Sequence, residues 1–98
     1  MKKNFPLHHP RKADARVLDA IKHEVRKYVQ RERRKTLPEG FDTWNFSCRV
    51  GPTEDATTTV ALTNISAALD QVAAGGPDHL FIELRSVPGL RRSAPFPL

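Results

Sequence analysis

Apolar residues recur at helical spacing through the first third of the chain. Val17, Leu18, Ile21, Val25, Tyr28 and Val29 fall on one face of a 3.6-residue repeat, and no Gly or Pro interrupts the run. The spacing predicts a helix over residues 15–35. Asp14 is the expected N-cap, because its carboxylate can accept from orphan N–H groups of the first turn. Arg31, Arg33, Arg34 and Lys35 crowd the last turns, where cations meet the negative end of the helix dipole. Pro38 and Gly40 then stop the helix.

After Gly40 the period changes from 3.6 to two. Residues Trp44 to Val50 alternate apolar and polar, which predicts a half-buried strand ended by Gly51 and Pro52. Thr53 to Ala56 read as a loop, and the β-prone run Thr57 to Val60 as a short strand. Ile65, Ala68, Leu69 and Val72 mark a second helix at about residues 64–74, with Thr63 as its N-cap. Gly75-Gly76-Pro77 terminates it. His79 to Val87 read as a further strand. At the other end, residues 2–7 predict a short strand that Pro6 confines to a sheet edge or a strand end. His8-His9-Pro10 reads as a turn.

The resulting order is β-α-β-(β)-α-β, the ferredoxin-like split βαβ pattern of the α+β class. Both helices then cover one face of an antiparallel sheet in a small two-layer sandwich with a long basic first helix. Without the strand at 57–60, a three-stranded sandwich remains. The predicted domain is residues 1–88, and residues 89–98, rich in Pro and Arg, are expected to be a disordered tail. By alternation Trp44, Phe46, Cys48 and Val50 face the helices together with Leu80, Ile82 and Leu84. Asn45, Ser47, Arg49, Phe81, Glu83 and Arg85 face outward.

A chain of 98 residues has room for one such core. No stretch approaches the ~20 apolar residues of a membrane span, so no membrane partner is expected. Lys2 and Lys3 are followed by no apolar segment of the kind a secretory signal needs. Cys48 is the only cysteine, which excludes an intrachain disulfide and fits a reducing cytoplasm.

Charge changes the picture more than composition does. The net charge is +5, but residues 11–35 carry ten Lys and Arg against Asp14, Asp19, Glu24 and Glu32, whereas residues 36–98 are net acidic. On a helical wheel Lys12, Arg16, Lys22, Arg26, Lys27, Arg31, Arg33 and Arg34 spread over the face opposite the apolar stripe. His23 lies among them, and Asp19 alone interrupts them. Such an arc can follow a phosphate backbone, each cation displacing condensed counterions. The guanidinium fork suits phosphate oxygens. The bland reading is a solvated helix face.

The residues Met1 to Lys12, Ile21 to Gly40 and Trp44 to Gly51 together resemble a family of small bacterial proteins of unknown function. The resemblance covers most of the chain and fades over residues 53–63 and the tail. It implies a bacterial, cytoplasmic protein, and it supplies no catalytic or binding residues.

Other chemistries find little support. Cys48 alternates with buried apolar positions and reads as a core thiol rather than a nucleophile. His8, His9, His23 and His79 lack the paired spacing of a zinc site. Glu54-Asp55 is a loop pair with nothing facing it. Gly75-Gly76 follows a helix instead of preceding one, so it is no phosphate-cradling loop. Phe81 between Arg49 and Arg85 has the ingredients of a base-stacking platform. The aromatic-rich RNP1 pattern is absent, however, which favours a packing or dimer contact. The expectation is therefore a non-enzymatic module without cofactor or metal that binds nucleic acid, RNA before DNA, through the basic helix. The alternative is a protein-interaction or homodimerisation module.

Overall fold

The computed structural model describes residues 1–90. In chain order it contains β1 (Lys2–Pro6), α1 (Asp14–Arg33), β2 (Thr43–Gly51), β3 (Thr58–Val60), α2 (Ile65–Ala74) and β4 (His79–Gly89). Short 3-10 turns occupy Glu54–Ala56 and Leu62–Asn64. The β-α-β-β-α-β order follows the sequence pattern, including the short third strand.

The four strands form one antiparallel sheet in the order β1-β4-β2-β3. Helix α1 connects β1 to β2 across β4, and α2 connects β3 to β4 across β2. Two split βαβ units are thus interleaved. Element order alone does not say which strands become central; here they are β4 and β2. Pro6 closes the edge strand β1, where a missing N–H is tolerated.

Both helices pack against each other and against the same face of the sheet. The core joins Ile21 and Val25 of α1, Ile65 and Leu69 of α2, and Phe5, Cys48, Val50, Leu80, Ile82 and Leu84 of the sheet. Trp44 and Phe46 also point to the helix side, as the alternation requires. The Trp44 indole N–H donates to the Lys35 carbonyl at 3.0 Å.

Two details depart from the sequence reading. Asp14 is the first helical residue and Ala13 the N-cap, with no side-chain cap bond. The Asp14 carboxylate instead meets His8 Nδ1 at 3.1 Å, while still lying in the turn where the dipole favours an anion. At the other end β4 continues through Pro88 to Gly89 and pairs with Trp44 and Thr43 of β2. The predicted boundary at residue 88 therefore falls inside a strand, and the expected tail from residue 91 onward lies outside the described residues.

Phe81 follows the packing reading. It does lie on the sheet face away from the helices, but it is only 5% exposed. The turn after β2 borders it through Pro52, Thr53 and Glu54. That turn is drawn onto the sheet by two cations. Lys2 Nζ lies 2.7 Å from the Glu54 carboxylate, and Arg49 donates to the Glu54 carbonyl at 3.3 Å. Arg49 also donates to Thr57 Oγ1 at 3.1 Å and pairs with Glu83. Phe81 is thus a packing residue with no free ring face for a base.

Candidate nucleic-acid interface

Helix α1 owes its orientation to its stripe. Ile21, Val25 and Val29 are buried, and Val17, Leu18 and Tyr28 are partly so. Twenty residues at 1.5 Å each make it about 30 Å long. Its opposite side faces away from the sheet along that length.

The structure sorts the eight predicted cations into two groups. Arg16, Arg26, Lys27 and Arg34 are exposed on the outer side, with Lys12 exposed just ahead of the helix. Spacings of seven, four and seven residues put Arg16, His23, Lys27 and Arg34 on nearly one line, since each interval is close to whole turns. The line runs for about 27 Å from Arg16 to Arg34. Arg26 flanks it. Among the described residues, none of these five cations has a carboxylate within ion-pair distance.

The other three cations are engaged within the protein. Lys22 differs from the outward cations: its side chain is only 16% exposed, and its ammonium sits 2.7 Å from Asp70 of α2. It joins the two helices. The Arg31 guanidinium lies 5.4 Å from the Tyr28 ring centre and 4.0 Å from Glu32. Arg33 lies over Phe46 at 5.6 Å. Both arginines remain exposed but have a packing role at the flanks of the helix.

The carboxylates of α1 are withdrawn from its outer side in a complementary way. Asp14 meets His8, Glu24 meets Lys3 of β1 at 3.2 Å, and Glu32 is buried against Lys35 and Ser86. Only Asp19 remains among the outward cations. The Lys35 ammonium and the Ser86 hydroxyl hold the Glu32 carboxyl below its ordinary range, against the opposing effect of burial. His8 is shifted upward by its hydrogen bond to Asp14 and by the charge of that carboxylate.

The sequence reading passed over Arg11. A tight turn places it beside the start of α1: its backbone N–H donates to His9 Nδ1 at 3.0 Å, and the Lys12 N–H donates to the His9 carbonyl at 3.3 Å. Arg11, Lys12, Arg16, Asp19 and His23 line an open depression of about 740 Å³.

Cys48 is fully buried, and burial pushes its thiol pKa up. Among the described residues no three His, Cys, Asp or Glu side chains converge as metal ligands. No helix among them is long and apolar enough to cross a membrane.

A model of a family of unknown function (DUF6172) matches residues 1–94. No curated protein matches the chain, and no solved structure does.

Proposed function

The chain belongs to this family of unknown function, and we propose that it is a non-enzymatic module that binds nucleic acid, RNA before DNA, along the outer side of α1. One observation carries the reading. The outward cations Arg16, Arg26, Lys27 and Arg34 have no ion-pair partner among the described residues, while all the helix carboxylates but Asp19 are tied up elsewhere. A face whose charges were merely solvated would not need this segregation. Cations left unpaired in a row keep their full counterion-release potential. A reducing cytoplasm is the setting that fits the buried thiol.

The test is binding to a single-stranded RNA over a range of salt concentrations. Four phosphate contacts give a slope of log K against log salt of about −3, or near −4 on a duplex. Changing Arg16, Arg26, Lys27 and Arg34 together to Glu should abolish binding and leave the fold intact, since none of the four lies in the core. Failure of the unmodified protein to bind RNA or DNA at low salt, where screening is least, overturns the proposal.

A second reading, a homodimer or protein-interaction module, rests on a different observation. Among the described residues Phe41, Val87 and Leu90 are the exposed large apolar side chains, and all three lie at the end of the β2–β4 ribbon that β1 and β3 do not reach. Under that reading a complex isolated from cells survives nuclease treatment, whereas the nucleic-acid reading requires that nuclease disperse it.

A further inference from the structure

The depression at the start of α1 differs from the rest of the helix surface. Farther along the helix, Arg26 and Arg33 share one depression with apolar residues, and Lys27 and Arg31 share another with Lys3 and Glu24. Here Arg11, Lys12 and Arg16 line one open depression together with Asp19 and His23. Three cations against one carboxylate leave a local charge of about +2 with His23 neutral. None of the three cations has an ion-pair partner among the described residues. The nearby Asp14 is occupied by His8.

We infer that this depression is a phosphomonoester site that seats the terminal phosphate of a bound strand. The inference rests on the nucleic-acid reading and adds an end and a polarity to it. A backbone phosphodiester carries one negative charge and leaves two free oxygens. A terminal phosphate carries close to two charges near pH 7 and presents three acceptor oxygens. The local charge matches the monoester. Two guanidinium forks and an ammonium on one concavity supply donors for three oxygens, in the bidentate manner arginine favours. The turn at residues 9–12 holds the backbone of Arg11 and Lys12 just ahead of α1, and both residues line the depression with Arg16. From that seat the line through Lys27 to Arg34 leads away along the helix, so the following nucleotides meet single cations at intervals. A continuous strand passing through would have to bury a diester where the charge fits a dianion.

The experiment compares single-stranded RNAs of about twelve nucleotides ending in a 5′-phosphate, a 3′-phosphate or hydroxyls. A hydroxyl-ended strand two nucleotides longer matches the charge of the phosphorylated strands. One phosphorylated strand should bind at least about tenfold more tightly than the charge-matched control, the scale of one or two charge-assisted contacts. Which end gains fixes the polarity. Arg11→Glu should shrink that gap to less than about threefold, because it turns a local +2 into neutrality. Equal affinity of all strands overturns the terminal-phosphate site while leaving the nucleic-acid reading in place. If no strand binds at low salt, the nucleic-acid reading fails. A titration with phenyl phosphate, followed by backbone NMR, then decides the site alone. Shifts confined to residues 11–23 and lost in Arg11→Glu support a phosphomonoester site, and no shifts overturn it.

Discussion

The Ser86 hydroxyl donates to Glu32 Oε1 at 2.7 Å, closing the C-terminal end of α1 onto β4. Glu32 continues the apolar stripe, four positions beyond Tyr28 and three beyond Val29, and is only 5% exposed. A carboxylate there is tolerated because Lys35, 2.8 Å away, and Ser86 satisfy it. Its folded pKa therefore lies below the ordinary value of 4.5. For a depressed carboxyl the stabilising contribution is present above the unfolded pKa and is lost as pH falls through the folded one. Urea midpoints measured at pH 7 and pH 3 should fall further for the unmodified protein than for Glu32→Gln, which has no charge to lose. Equal falls would show that Glu32 has no part in acid sensitivity.

His8 has the opposite sign. Its hydrogen bond to Asp14 and the charge of that carboxylate raise its pKa above 6.5, with Asp78 adding to the effect from 3.9 Å. The stabilisation is complete below about pH 6.5 and disappears as pH rises through the folded value. An NMR titration of the imidazole should give a midpoint above 6.5 in the unmodified protein and a lower one in Asp14→Asn. An unchanged midpoint in Asp14→Asn would contradict the pairing.

Cys48 has no exposed surface, and its pKa is raised by burial. Both effects suppress the thiolate that reacts with alkylating reagents. Labelling should be slow in the native protein and fast in denaturant. Rapid native labelling would place the thiol at an accessible site and reopen nucleophilic chemistry.

Gly51 is fixed by a close approach of backbone to backbone. A Cβ there would sit 2.0 Å from the Ala56 carbonyl oxygen and 2.8 Å from the Thr57 Cα, neither of which is the end of a flexible side chain. Gly51→Ala should destabilise by at least about 1–3 kcal/mol, the usual cost of overpacking. It should also displace the turn that Arg49 and Lys2 hold over Phe81. A variant as stable as the parent, measured by denaturant unfolding, would mean that the turn yields freely.

The two stripes and the two alternating strands were legible because each element buries one face, and burial imposes its period on the residues. What stayed hidden depended on partners distant in sequence. Lys22 looks like any other outward lysine until Asp70 arrives from α2. Phe81 alternates outward correctly, but the turn that covers it is held by ion pairs between strands. Pro88 reads as a strand terminator, yet β4 runs through it. Leu84 exchanges backbone hydrogen bonds with Met1 on the β1 side, so by alternation Pro88 faces that side too. The register of β1 reaches only Glu83, and the absent N–H of Pro88 therefore costs no ladder bond.

The distinction between engaged and unpaired cations yields a residue-level prediction. Lys22 and Lys27 have the same chemistry and lie five residues apart on one helix. The Lys22 ammonium is already paired with Asp70, so it is not free to neutralise a phosphate and release that phosphate's condensed counterion. Lys27 is exposed without an ion pair among the described residues. If α1 binds a strand along its outer side, Lys27→Ala should reduce the magnitude of the log K against log salt slope by about 0.7 on single strands, or about 0.9 on a duplex. Lys22→Ala should leave the slope unchanged and lower stability by no more than about 1 kcal/mol, the range for a partly exposed ion pair. Nonspecific attraction to a basic protein predicts something else, because both substitutions then remove one positive charge and change the slope alike. Equal effects of the two variants on binding would therefore remove α1 as a defined interface, even if the protein binds RNA.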